Sequence, residues 1–478
     1  MQRLLAAVLV ASTVAADSAS TVDRQADDFI GYEDLQALLP AWEAAGATIT
    51  VPATSNAGRD LTLVSVGHGP VDLLITARLH ANEPSGTEAA VRLVSLLLGD
   101  PAPTLDQARW AGLTREAPLA RAFLDDRLRT EVLQRVTLHV LPMLDPDGVE
   151  SGNQRDFMAN SDYATRATPQ ASAILETISA IHPALLVDLH GGPDQPLNIG
   201  LVEPRGIDDD VQTISRQAAA AVWRSAAALD VPVRFFEEHP LGLAAGLDGE
   251  PFDSADEAYY ASLSRLAPVT WESLQLEGIP AVYTETVGLQ STAPEITVLE
   301  GASIQQATVL ALMLDLAGLL DGTRPALHDV TSIAGSAGEQ SVELELDEPA
   351  IDVRITVSWP WQAFGSDWSI HLVEARTGSP VASDTGNATE PARRSRMLRL
   401  DRLERGSYRI VLQPIGGAMV AGNATLQVLF WHRDDVPREL EGILATADDV
   451  ALCLEGDSVY RQATRPAGLA TESCPTPD

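Results

Sequence analysis

From about residue 30 to residue 325, short apolar runs alternate with stretches whose apolar residues recur at helical spacing. The runs DLTLVSVG (60–67), VDLLITARL (71–79), RVTLHVLPML (135–144), PALLVDLH (183–190) and PAVYTETVG (280–288) suit strands buried on both faces. Between them YEDLQALLPAWEAAG (32–46), GTEAAVRLVSLLLG (86–99), TPQASAILETISAIH (168–182), DVQTISRQAAAAVWRSAAALD (210–230) and ASIQQATVLALMLDLAGLL (302–320) read as helices. Strand and helix in alternation predict an α/β domain over residues 28–325. The most apolar helix contains Asp315 and reads as a core helix rather than a membrane span.

The period changes near residue 330. SVELELD (341–347), DVRITVSW (352–359), WSIHLVEA (368–375), MLRLDRL (397–403), SYRIVLQP (407–414) and ATLQVLFW (424–431) alternate at period two between clusters of Gly, Pro, Asp and Asn. They predict a small all-β sandwich over residues 330–436. Residues 437–478 form a mixed tail holding the only two cysteines, Cys453 and Cys474, which an oxidising compartment would join in one loop. At the other end MQRLLAAVLVASTVAA combines one arginine, a short apolar run and small residues at Val14 and Ala16. That is the pattern of a secretory signal peptide over residues 1–16, so a secreted protein, extracellular or periplasmic, is expected.

Composition narrows the chemistry. The 478 residues carry 32 basic against 67 acidic side chains, a net charge of -35, which repels nucleic-acid phosphates and anionic membrane surfaces. Every basic side chain other than histidine is arginine. With no lysine, a lysine Schiff base, a Ser-Lys dyad and a P-loop lysine are excluded. No Gly-x-Ser-x-Gly nucleophile turn occurs either, which argues against a serine hydrolase.

What remains is a set of metal-capable residues at strand ends. In VDLLITARLHANEPSGTEAAV (71–91), His80 closes a strand and Glu83 opens a helix. His190 ends PALLVDLH before Gly191 and Gly192, and Glu285 stands at the end of PAVYTETVG. Open α/β sheets bind ligands at the carboxyl ends of their strands. Two imidazoles and a carboxylate are good donors for Zn2+ and leave a fourth position for water. Glu285 is placed to act on that water as a general base. Asp188, two residues before His190, is a candidate partner for that imidazole, or a buried structural aspartate.

The ordered set HANEPSG, LPMLDPDGVE, NQRDF, TPQASAI, LLVDLHG and VYTETVG resembles the zinc metallocarboxypeptidases of the carboxypeptidase A superfamily, over about residues 28 to 320. The resemblance implies a three-layer α/β/α domain with a mixed sheet and a peptide-trimming hydrolase. It assigns His80, Glu83 and His190 to zinc, Glu285 to the general base, and Arg155 to the substrate's terminal carboxylate. The β-region looks like the jelly-roll modules, the pre-peptidase C-terminal domains, appended to secreted bacterial peptidases.

The departures from the family pattern carry information. Asp145 replaces an Asn in DPDG, a turn position without direct chemistry. Gln154 stands where the family has the Asn that shares carboxylate binding, so the same amide sits on a longer stem. The link from DPDG to QRDF is short and lacks the arginine that stabilises the oxyanion in relatives; Arg155 serving twice and Arg78 beside the site are the two replacements considered. Among Tyr259, Tyr260 and Tyr283 we favour Tyr260 as the tyrosine that closes over substrate. The altered clamp leaves open a zinc amidohydrolase of N-acyl amino acids, as in the desuccinylase and aspartoacylase branch, which would take a small amide instead of a peptide. A secreted binding protein on a dead peptidase domain is the reading outside enzymes.

Overall fold

The computed structural model describes residues 29–99, 118–152, 168–192, 197–200, 209–228, 233–235, 278–289, 296–333, 338–359, 368–385, 395–415, 424–434, 437–440 and 443. The first part is built on one 8-stranded sheet: β1 (Thr48–Thr54), β2 (Asp60–Val66), β3 (Val71–Ala77), β4 (Val136–Leu141), β5 (Leu185–Gly192), β6 (Leu197–Gly200), β7 (Val233–Phe235) and β8 (Ala281–Val287). Their order is β1-β2-β4-β3-β5-β8-β6-β7. The four central strands β4, β3, β5 and β8 are mutually parallel, while β2 and β6 join them antiparallel, so the sheet is mixed.

Helices cover both faces. Trp42 of α1 (Tyr32–Ala44), Leu93 of α2 (Pro84–Leu98), Leu128 of α4 (Asp126–Arg135) and Leu310 of α8 (Val298–Leu316) share one core with Leu73, Ile75, Val187 and Val282 of the sheet; α3 (Pro118–Ala122) lies on the same side. Ile174 of α6 (Pro169–Ile181) and Ile214 of α7 (Asp209–Ala228) share the other core with Leu74, Leu186 and Ala281. A short helix, α5 (Pro146–Ser151), follows β4. This is a three-layer α/β/α arrangement on a mixed sheet, as the sequence resemblance implies. Odd and even positions of each strand serve different cores, which is why the strands read as unbroken apolar runs.

Some elements carry no such signal. The edge strand β1 exposes or half-exposes every residue, so it has no apolar run to read. Helix α4 buries only Leu128, Val132 and Arg135, a stripe one residue wide on a charged segment. Among the described residues no helix is long and apolar enough to cross a membrane.

The all-β region opens earlier than its period-two runs indicate, at β9 (Thr323–Ile333). It continues through β10 (Gln340–Leu346), β11 (Ala350–Ser358), β12 (Trp368–Glu374), β13 (Pro380–Asp384), β14 (Ser395–Leu403), β15 (Gly406–Pro414) and β16 (Ala424–Arg433). Two 4-stranded sheets, β10-β15-β12-β13 and β14-β11-β16-β9, are antiparallel throughout. Leu344, Ile370 and Ile410 of the first face Val353, Ile355 and Val428 of the second across a shared core.

Candidate metal centre

Connectivity creates the crevice. Strand β3 connects onward to β4 on one side of it, and the chain then returns past β3 to pair β5 on the other side. Strands whose connections diverge this way leave an opening at their carboxyl ends. The His80-to-Glu83 turn rises from β3 at that edge, and His190 rises from β5. In the parallel ladder His190 is paired with Glu285 of β8, and Asp188 with Tyr283. Paired residues in a parallel sheet point to the same side, with strands about 4.8 Å apart. The face carrying the even-numbered residues of β3 and β5 and the odd-numbered residues of β8 therefore changes character along its length: Leu74, Leu186 and Ala281 are core, whereas Thr76, Asp188, His190, Tyr283 and Glu285 form a polar stripe.

Glu83 occupies the N-cap of α2, with Pro84 at the first helical position, yet its side chain caps nothing. It turns back instead, with Oε1 2.7 Å from His80 Nδ1 and Oε2 3.2 Å from His190 Nδ1. Glu83 and His190 are buried at 6% and 2% exposure, while the His80 side chain keeps 27%. Burial pushes the Glu83 carboxyl upward, but His80 and His190 outweigh it and hold the group at about 2. Burial likewise opposes charge on His190, but Asp188 and Glu83 outweigh that and raise it well above the ordinary imidazole value.

Close backbone approach makes the cluster possible. A Cβ on Gly191 would lie 3.0 Å from Cβ of Glu83, and one on Gly86 would lie 2.7 Å from the Leu189 carbonyl oxygen. Gln305 of α8 donates from Nε2 to the His190 carbonyl at 2.8 Å, bracing the end of β5. The Asn82 carbonyl accepts the Leu289 N–H at 2.9 Å, tying the turn to the residues after β8.

The donors of His80, Glu83 and His190 lie within 4.8 Å of one another, the span over which Zn2+ gathers ligands at about 2.0–2.2 Å each. The residues fit such an ion on a further ground. His190 Nε2 meets the Asp188 carboxylate at 2.8 Å, an acceptor, so Nε2 carries a proton and Nδ1 is the nitrogen that gives a lone pair to a metal in exchange for its own proton. That nitrogen faces Glu83 Oε2, which is buried without a hydrogen bond. Between a buried carboxylate and an imidazole nitrogen the dry site holds positive charge, carried by a proton in the metal-free protein and by a metal ion that displaces that proton.

One candidate is corrected. Arg78 does not reach towards substrate: it is 1% exposed, with Nε donating to the Ala81 carbonyl at 3.0 Å and Nη1 to Ile30 at 2.6 Å. Burial lowers its guanidinium to about 10, against the pull of Glu88, Asp145 and Glu150. It is a brace inside the metal turn, and its backbone at φ 52 lets the turn reverse. Asp145 is the N-cap of α5, accepting the Gly148 N–H at 2.9 Å, the turn role its sequence context indicates. His139 is a strand residue bonded to Ser65 and Asp72. Tyr283 is 2% exposed and packs edge-on to His190 at 5.8 Å, a wall of the site. Arg155, Gln154, Tyr259 and Tyr260 lie outside the described residues, as do Cys453, Cys474 and the segment 1–16. Sequence reading missed Thr76 and Gln305. Their signal was a polar residue inside an otherwise apolar buried run, aligned in Thr76 with the face that carries the histidine.

Fold and site thus define a three-layer α/β protein with a His-Glu-His cluster able to hold a metal ion at the carboxyl edge of its sheet. Residues 46–179, which contain His80 and Glu83, match the family model of zinc carboxypeptidases. Comparison with curated proteins finds no match. Among solved structures the chain is similar to a metallo-carboxypeptidase from Burkholderia cenocepacia (19% identity, 59% of this chain and 68% of that one, TM-score 0.41). It is also similar to a metallo-carboxypeptidase from Pseudomonas aeruginosa in complex with (2-guanidinoethylmercapto)succinic acid (16% identity, 60% and 68%, TM-score 0.41). A third similar structure is bovine thrombin-activatable fibrinolysis inhibitor in complex with tick carboxypeptidase inhibitor (12% identity, 61% and 98%, TM-score 0.39).

Proposed function

We propose that the protein is a secreted zinc-dependent carboxypeptidase that removes the C-terminal residue of peptides. The observation that carries this reading is the convergence of His80, Glu83 and His190 within 4.8 Å, with Glu285 paired to His190 in the next strand. Zinc, when held by those three residues, supplies Lewis-acid polarisation and activation of water. A carboxylate oxygen of Glu285 takes a proton from the attacking water and delivers it to the leaving nitrogen. Arg155, placed by the resemblance, grips the terminal carboxylate with its planar fork of donors and so selects the chain end. The signal-like N-terminus supports export.

The test is a mixed peptide pool incubated with the purified protein, with and without a zinc chelator, and read by mass spectrometry. Stepwise loss of C-terminal residues that the chelator abolishes is the expected result. Glu285→Gln is expected to retain stoichiometric zinc while kcat falls by about 10²–10⁴-fold, the usual reach of a general base. Full zinc occupancy with untouched peptides overturns the proposal, and cleavage of N-acyl amino acids in their place establishes the amidohydrolase reading.

A further inference from the structure

The Asp188 carboxylate is fully buried, at 0% exposure, on the stripe that ends in His190. One of its oxygens, Oδ2, lies 2.8 Å from His190 Nε2, and the other, Oδ1, accepts the Thr76 hydroxyl at 2.6 Å. Ladder geometry produces this line: Thr76 is paired with Asp188 across β3 and β5, and Asp188 and His190 are two residues apart on one strand. The three side chains therefore project from the same face in order, with no freedom to slide.

We infer that Asp188, backed by Thr76, is the positioning residue that fixes the tautomer and ring orientation of His190 and so presents Nδ1 to the metal. This rests on the zinc reading above. An imidazole free of Asp188 would share its proton between two nitrogens and rotate about its Cβ–Cγ bond. The carboxylate accepts only, so in the neutral or metal-bound ring it keeps the proton on Nε2 and the lone pair on Nδ1. Thr76 occupies Oδ1, which leaves Oδ2 for the imidazole alone. The Gln305 bond to the His190 carbonyl holds the backbone from the opposite side, so ring and main chain are fixed independently.

The experiment measures zinc affinity by competition with a chromogenic chelator, together with the ¹⁵N signature of the His190 ring in zinc-free protein at alkaline pH, where the ring is neutral. Wild type is expected to show the Nε2-protonated tautomer. Asp188→Ala is expected to bind zinc about 10–100-fold more weakly and to lose that signature. Thr76→Val keeps the carboxylate but frees Oδ1; a several-fold loss of affinity with the tautomer retained is expected, and it carries the test should Asp188→Ala fail to fold. A merely structural Asp188 would lower the unfolding temperature and leave both readouts unchanged in the folded variants, which overturns the inference. Failure of wild type to bind zinc at all instead overturns the proposed function.

Discussion

At residue scale, Glu83 performs a task its position does not favour. Glutamate is a poor N-cap, and here its carboxylate leaves the first turn of α2 uncapped to reach two histidines. The helix end still contributes, because its partial positive charge lies beside the anion. Held at about 2, the carboxylate is ionised throughout the neutral range, so its loss is a loss of charge and not of a hydrogen bond. Glu83→Gln is isosteric and neutral; zinc stoichiometry measured by mass spectrometry is expected to drop well below one, with activity lost alongside. This contrasts with Glu285→Gln, where metal and activity separate. A Ser65–His139–Asp72 line, with Ser65 Oγ and Asp72 Oδ1 each 2.8 Å from a ring nitrogen, looks like nucleophile chemistry on paper. The three residues stand side by side on the paired strands β2, β4 and β3, so the line serves as a cross-strand tie.

At element scale, the metal turn depends on two close approaches. Gly191→Ala sets a methyl 3.0 Å from the Glu83 Cβ, and the neighbour that must yield is itself the proposed ligand. It is expected to weaken zinc binding about tenfold or more while costing only about 1–3 kcal/mol of stability. Gly86→Ala meets the Leu189 carbonyl at 2.7 Å, where backbone cannot give way. The larger effect is expected there on thermal unfolding. The clustering of His80, Glu83 and His190 was legible in the sequence because strand ends, a His-x-x-Glu spacing and two glycines are local features. The role of Arg78 was not, since proximity in the chain cannot tell whether a guanidinium faces substrate or the carbonyls of Ala81 and Ile30. The central strands and apolar helices were legible through burial on both faces. Edge strand β1 and helix α4 escaped because neither buries enough apolar surface to leave a period.

At the scale of the whole molecule, the β-sandwich is joined to the first domain through side chains as well as through the chain. The outer face of β16 sends Leu429 and Trp431 into the core around α8, with Trp431 Nε1 donating to the Leu316 carbonyl at 3.0 Å. Arg135 of α4 donates to the Thr323 carbonyl at 2.7 Å and to Asp434 at 3.0 Å. On the far side Met397 enters the core beneath α6, and the Arg399 N–H reaches Asp210 at 2.8 Å. Such an interface couples unfolding of the two parts, so a single calorimetric transition is expected, and Trp431→Ala is expected to lower it by about 3–5 kcal/mol.

His182 gives that coupling a pH dependence. It closes α6 in the left-handed region at φ 48, with Nδ1 3.2 Å from the Ser358 hydroxyl of the sandwich. Burial lowers its pKa below the ordinary 6.5, against a weaker pull from Asp72. A histidine with a depressed folded pKa binds fewer protons than its unfolded counterpart, so its contribution is complete above about 6.5 and is lost as pH falls from there towards the folded value. Unfolding temperature is therefore expected to decline on mild acidification, before the carboxylates titrate. Asn tolerates the left-handed conformation and carries no titrating group. His182→Asn is expected to flatten the decline that sets in below about pH 6.5 while changing stability at pH 8 by less than about 1 kcal/mol. A variant whose acid response matches wild type would assign the decline to another group.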